Sequence, residues 1–316
     1  YCMFSELSLR SCSASTLDVL LAKLPGEVLE ATLPLLPGKI FSELWPVIES
    51  AILAFGPVLK LCLERAPQAL PELVLFLSER LKDDQPRVRQ ISCWTVSRYA
   101  SWIVGDNNLF NATFTSLLHC ALDPLRVVQE AACLLILTFI ENSTQDMLAP
   151  FVQSLLELFA QSLVTFQKKS TIVLYDTIQT FVEKAGYDLV APYANQLLPV
   201  LLERWGVLAD DDVALWPLLE CMACVAAVLL DKFAPYAIPT YTRATAILAR
   251  CIALDDQCLT DPAIEAPEKD FMVTALDLID GLVQGFGAHA VALVQQVEST
   301  LPLPHHLLST LPRCLE

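Results

Sequence analysis

Few residues in this sequence have the type and spacing that bond-making chemistry needs. The 316-residue chain holds four histidines, His119, His289, His305 and His306, and none stands at metal-ligand spacing from a cysteine. Cys221-Met222-Ala223-Cys224 is formally a C-x-x-C. It lies in an apolar helical run with no second pair, which reads as core packing rather than a metal or redox site. No glycine-rich phosphate loop, G-x-S-x-G elbow or H-E-x-x-H motif is present. Carboxylates are plentiful, but no feature isolates a pair for proton transfer. The expectation is a non-enzyme without metal or cofactor.

A different chemistry, recognition, is written in residues at helical spacing. Ile91, Trp94 and Arg98 stand at i, i+3 and i+7 and share one helix face. Glu130 and Glu141 are eleven apart, about three turns at 3.6 residues per turn, with Thr138 on the same stripe. Asp176 and Glu183 are seven apart; so are Asp270 and Asp277, with Asp280 nearly a turn further on. Asp18 and Leu53 fall on earlier helices of the same kind. Together these describe a surface that is apolar and aromatic near its start and acidic further along the chain. The plainer reading is a solvated acidic face and one core tryptophan.

The elements that carry these residues repeat. Helices with a mixed apolar and charged face are predicted to begin near Trp45, Arg87, Val128, Lys169 and Val213, at intervals of 42, 41, 41 and 44 residues. The next begins near Asp270 after 57 residues, which predicts an extra polar loop around 252–268. More uniformly apolar helices precede them, at 69–81, 108–121, 146–163 and 188–204. Leu17, Leu20, Leu21 and Leu24 form one predicted apolar stripe; Val152, Leu155, Leu156, Phe159 and Leu163 form another. Two helices per roughly 40 residues is the period of HEAT and armadillo repeats, whose helix pairs stack because a single pair cannot bury both faces. The expected fold is all-α: a right-handed solenoid over residues 1–286, about six to seven helix pairs, followed by a divergent or frayed segment, 287–316, rich in proline.

Composition agrees with a binding protein. Hydrophobic residues make up 54% of the chain, enough for a large core, and the formal net charge is −16. Nucleic acid is excluded as the expected partner, because phosphate binding needs lysine and arginine. A basic partner or simply an acidic surface fits. Most of the eleven cysteines sit in apolar stretches, where a free thiol packs as a small hydrophobe, so a reducing compartment is expected. The longest apolar run, Cys221 to Leu230, is short for a hydrocarbon layer of about 30 Å, so no membrane insertion is expected. The chain starts at Tyr1 without a targeting segment and is expected to be a fragment.

Several blocks carry a closer resemblance. Cys93-Trp94-Thr95-Val96-Ser97-Arg98-Tyr99-Ala100 followed by Trp102, with Leu9-Arg10-Ser11-Cys12-Ser13-Ala14 and Leu17-Asp18-Val19-Leu20 upstream, resembles the central repeats of the transportin branch of the karyopherin-β family. Val128-Gln129-Glu130-Ala131-Ala132-Cys133, Leu174-Tyr175-Asp176, Trp216-Pro217-Leu218-Leu219-Glu220-Cys221 and Glu265-Ala266-Pro267-Glu268-Lys269-Asp270-Phe271-Met272 follow in order, so the likeness spans roughly residues 7–285.

That family imports into the nucleus cargo bearing a proline-tyrosine localisation signal, an extended basic segment ending in Pro-Tyr. The resemblance implies that the Pro-Tyr end contacts Ser15, Asp18, Leu53, Ile91, Trp94 and Arg98. The signal's upstream arginine would meet Glu130, Thr138, Glu141, Asp176 and Glu183, and Trp216, Thr274 and Asp277 would continue toward its amino-terminal part. It further implies nucleoporin and Ran GTPase partners and shuttling between cytoplasm and nucleus. A disordered basic peptide needs a long surface and charge-assisted bonds to offset its ordering entropy; a tryptophan supplies a flat apolar platform, and an acidic wall speeds encounter.

The sequence departs from the family pattern in places. Ser15 and Thr274 stand at small or apolar positions, Trp216 replaces a phenylalanine and Glu183 an aspartate. The family's Ran-binding amino-terminal arch, its long acidic loop and its carboxy-terminal repeats have no counterpart here. The expectation is therefore a segment that binds cargo without completing a transport cycle. The competing readings are a receptor of another karyopherin-β subgroup and a HEAT scaffold that organises an enzyme complex.

Overall fold

The computed structural model describes residues 9–299 apart from 66 and 262. Among the described residues there is no β-strand. The chain forms two compact units, 1–147 and 148–316.

In the first unit, α1 (Leu9–Lys23), α2 (Pro25–Thr32) and α3 (Leu36–Ile40) lead into α4 (Trp45–Arg65). Then come α5 (Leu70–Arg80), α6 (Pro86–Arg98), the short α7 (Ala100–Ile103), α8 (Asn107–Cys120) and α9 (Arg126–Asn142). Helices α1, α4, α6 and α9 pack side by side in one layer, and α5 packs on α8 in the other. Their seam holds large apolar rings. Phe110 stacks on Phe114 at 5.1 Å, and Phe139 meets both rings edge-on, at 5.7 and 6.0 Å.

The short α10 (Gln145–Leu148) leads into the second unit, which contains α11 (Val152–Thr165), α12 (Lys168–Val190), α13 (Ala194–Val207), α14 (Leu215–Leu229), α15 (Ala234–Thr260), α16 (Lys269–Phe286) and α17 (Ala290–Glu298). Helices α12, α14 and α16 form one layer; α11 packs on α13, and α15 on α16 and α17. α12 is broken at Gly186, whose φ of 71° lies in the left-handed region that glycine enters without steric cost. The contact of α16 with α14 is unusually close. A β-carbon on Gly281 would lie 2.3 Å from the Ala223 carbonyl oxygen, and one on Gly285 2.4 Å from that of Ala226.

The repeat is visible in the turns. Asp83, Asp123, Asp212 and Asp261 each accept a hydrogen bond from the backbone N–H two residues on, at 2.9–3.0 Å. This is the local turn that an aspartate side chain favours. Arginines tie successive repeats together. Arg89 forms a two-pronged pair with Asp123 at 2.6 and 3.0 Å and donates to the carbonyls of Asp83 and Asp84. Arg243 repeats the arrangement with Asp210 and the carbonyls of Trp205 and Leu208 at the end of α13.

The all-α HEAT-repeat solenoid expected from the sequence is the fold observed, and the mixed-face helices begin within two residues of their expected starts. Several local expectations are corrected. The segment 252–268 is not all loop: α15 continues to Thr260, leaving 261–268 as the connection. The helices predicted at 146–163 and 188–204 each contain a 3-10 turn, at Pro150 and Pro192, where the ring removes a backbone donor. In the leucine stripe of α1, Leu21 is buried, but Leu20 and Leu24 are 42% and 49% exposed. Two stretches not anticipated from sequence, 145–165 and 269–297, are apolar and long enough to cross a membrane. The first is interrupted at Pro150 and the second at Gly287, whose φ is 51°. Residues 287–299 form a 3-10 turn and α17, packed on α15 and α16. The remaining tail, with His305-His306, lies outside the described residues.

Candidate functional site

In the first unit, α6 presents Trp94 and Arg98 over α4. Trp94 is half-buried, and the Arg98 guanidinium lies over its ring at 5.3 Å. Arg98 Nε donates to the Gly56 carbonyl at 3.0 Å, and its terminal nitrogen donates to Asp18 on α1, also at 3.0 Å. One arginine thus spans three helices. Below it, Thr95 Oγ1 donates to the Ile52 carbonyl at 3.0 Å and the buried Tyr99 hydroxyl to that of Phe55 at 2.8 Å, fixing the register of α6 on α4. Leu53 and Ile91 are buried in this seam, whereas Ser15 is exposed on α1.

A groove of about 240 Å³ runs between α1 and α4, walled by Ala14, Leu17, Leu53 and Ala54. At its end Arg10 pairs with Glu49 at 2.8 Å. Burial pushes the Glu49 carboxyl above its usual range, against the pull of Arg10 and Arg87. On α9, Glu130 pairs with Arg126 one turn earlier at 2.7 Å, and the Thr138 hydroxyl donates to the Leu134 carbonyl. Glu141 is exposed near the end of α9.

In the second unit, α12, α14 and α16 bring carboxylates together. Asp176 and Glu183 come from α12, Glu220 from α14, and Asp270 and Asp277 from α16. Among the described residues none of these five is in an ion pair. Glu220 is the member that feels the others. Glu220 is pushed up first by burial, then by the charges of Asp176, Asp277 and Asp270. Asp176 is raised by burial, and Asp277 by burial and by Asp280. Trp216 meets Phe271 edge-on at 5.3 Å across the α14–α16 seam, and its buried indole N–H has no hydrogen-bond partner among the described residues. Thr274 is buried, with its hydroxyl donating to the Asp270 carbonyl at 2.8 Å, so it supports the surface from below.

The structure therefore joins Asp18, Trp94 and Arg98 in one unit, and in the other it brings Asp176 and Asp277 within electrostatic reach of Glu220. It also adds residues that the spacing analysis passed over. Glu220 stands one turn beyond Trp216, a spacing that was sufficient to find it. Gly56 beneath Trp94 carries no such signal. Cys221 is buried, and burial together with Glu183 pushes the Cys224 thiol up to about 11. Burial raises the Cys221 thiol as well, so both are protonated near neutrality; Cys221 packs in the core and Cys224 is partly buried.

Comparison with known proteins follows this geometry. Residues 45–99 match the model of the HEAT-like repeat. The chain is 41% identical over 292 residues to importin subunit beta-2 of Saccharomyces cerevisiae, covering 92% of the chain and 32% of that relative. It is 38% identical over 297 residues to transportin-1 of Homo sapiens, covering 92% and 33%. Among solved structures, the karyopherin Kap121p bound to the SUMO protease Ulp1p aligns with a TM-score of 0.69 at 18% identity, over 93% of this chain and 27% of that one. The chain spans about a third of the length of the relatives it matches. Over nine-tenths of its length the chain is similar to the importin beta-2 and transportin proteins, matching about one third of each.

Proposed function

We propose that this chain is the cargo-binding portion of a nuclear import receptor and that it holds a basic proline-tyrosine localisation signal. The names of its relatives, importin and transportin, supply the transport reading. The observation that carries the binding reading is the group of carboxylates on α12, α14 and α16, with Asp176, Asp270 and Asp277 acting on Glu220, and Glu183 two turns along α12 from Asp176, none of which is in an ion pair among the described residues. The charges of Asp176, Asp277 and Asp270 add to burial in raising Glu220, and an arriving guanidinium relieves such repulsion.

In the first unit the half-buried indole of Trp94, the groove between α1 and α4, and the Asp18–Arg98 pair suit a short apolar segment ending in a hydroxyl-bearing ring. Such a ring has an apolar body for the groove and a phenol that exchanges hydrogen bonds with a carboxylate and a guanidinium. Ser15, Leu53 and Ile91 would line its approach. Glu130, Thr138 and Glu141 would form a polar stretch for the signal's middle. Trp216 and Asp277, over Thr274, would receive its amino-terminal part. Shuttling between cytoplasm and nucleus, with nucleoporin and Ran partners, belongs to the same proposal.

The test is a titration of the purified chain with a basic peptide ending in Pro-Tyr and with the same peptide ending in Ala-Ala. Saturable binding of the first, weakened at least about tenfold in the second, is expected. Equal binding of the two would remove the proline-tyrosine reading.

A further inference from the structure

Gly56 occupies a position in α4 that no ordinary side chain fits. A β-carbon there would lie 2.5 Å from Cζ3 and 2.9 Å from Cη2 of Trp94, and 3.0 Å from Cδ of Arg98. The two indole atoms belong to the far edge of the six-membered ring, which therefore rests on the helix backbone itself. The Gly56 carbonyl also accepts from Arg98 Nε at 3.0 Å, and the same guanidinium reaches Asp18 at 3.0 Å while lying over the Trp94 ring. A single backbone position thus touches both Trp94 and Arg98, the second of which carries α6 across to Asp18 on α1.

We infer that Gly56 is a positioning residue: it sets the height of Trp94 above α4 and the reach of Arg98 toward Asp18, and so shapes the site that receives the Pro-Tyr end of a cargo segment. The inference rests on the proposed function for its ligand and on the geometry alone for its mechanism. Any β-carbon at position 56 would lift the indole off α4. Arg98 shares that surface, so the lift would also lengthen the bond to Asp18.

A competing explanation is local. Gly56 precedes Pro57 inside α4, and a proline crowds the β-carbon of the residue before it. Glycine would relieve that crowding whatever stands at position 94. The two explanations separate in a double-mutant cycle, because a phenylalanine lacks the outer ring atoms that meet position 56.

Four proteins are compared: the wild-type chain, Gly56→Ala, Trp94→Phe, and the double variant. Each is melted and titrated with the basic Pro-Tyr peptide. Gly56→Ala is expected to melt several degrees lower and to bind at least about tenfold more weakly, while the double variant melts higher and binds more tightly than Gly56→Ala alone. A Gly56→Ala chain that fails to fold beside a folded double variant is the same rescue. Equal damage with tryptophan or phenylalanine at position 94, or a Gly56→Ala chain that behaves as wild type, overturns the inference. Absence of peptide binding in the wild type would sink the proposed function instead. The positioning role would then be decided by rescue, or its absence, in the melting cycle.

Discussion

Arg98 on α6 and Asp18 on α1 meet at 3.0 Å although 80 positions separate them in sequence. The pair is open to water, with side chains 36% and 39% exposed. Exposed ion pairs contribute at most about 1 kcal/mol to stability. Asp18→Asn is therefore expected to leave the melting temperature within a few degrees of wild type while weakening a Pro-Tyr peptide about tenfold. A large melting loss with unchanged affinity would reassign the pair to the scaffold.

Arg89 and Asp123 present the opposite case. Their side chains are only 15% and 6% exposed, and Arg89 also holds the carbonyls of Asp83 and Asp84. Removing the cation strands a buried carboxylate, a change that typically costs about 3–5 kcal/mol. Arg89→Ala is expected to lower the stability of the first unit by that order in chemical denaturation. A loss under about 1 kcal/mol would show that water replaces the pair.

Much of the scaffold could be read from the sequence. Intervals of 41 to 44 residues reflect one physical requirement, that each helix pair bury its faces on the next, and Val152, Leu155, Leu156, Phe159 and Leu163 are all buried as their spacing requires. Exposure at the edge of a unit was not legible, because periodicity marks a face without saying whether a neighbour covers it; Leu20 on α1 and Leu24 just beyond it are the example. Within the candidate site, charge and aromatic positions were legible through helical spacing. The seat of Trp94 was not. A glycine announces a close approach only once the approaching side chain is known, and Gly56 and Trp94 lie on different helices.

Glycines in the second unit give a paired test. Gly281 lies against the Ala223 carbonyl, whereas Gly206 in α13 has open space where a β-carbon would stand. Gly281→Ala is expected to cost about 1–3 kcal/mol through overpacking. Gly206→Ala is expected to stabilise by up to about 1 kcal/mol, as alanine is the better helix former. Thermal melts of the two variants should move in opposite directions. Movement in the same direction would contradict the packing described for α14 and α16.

The carboxylate row predicts a pH dependence. Glu220, Asp176 and Asp277 are raised above their ordinary values, so over the window between the unfolded and folded pKa values the folded state binds more protons. Stability from this source is fully present below the unfolded values and is lost as pH rises through the folded ones. Glu220→Gln should therefore stabilise the chain at pH 7, by a few tenths to about 1 kcal/mol because the group is largely exposed, and its advantage should vanish in acid. Melting curves from pH 4 to 7 check this. An equal advantage at both ends would show that Glu220 does not feel its neighbours.

The proposed role of this carboxylate row is to recognise positive charge on an extended segment. Its most direct test is the affinity of the Asp176→Lys/Glu183→Lys double variant, shown to be folded, for a basic Pro-Tyr peptide and for the same peptide with its basic residues neutralised. A loss of about 2–5 kcal/mol is expected for the basic peptide and little change for the neutral one. Wild-type affinity for the basic peptide should also fall as salt rises, because charge attraction is screened over about 10 Å at 0.1 M. A folded double variant that binds the basic peptide as tightly as wild type would contradict the claim.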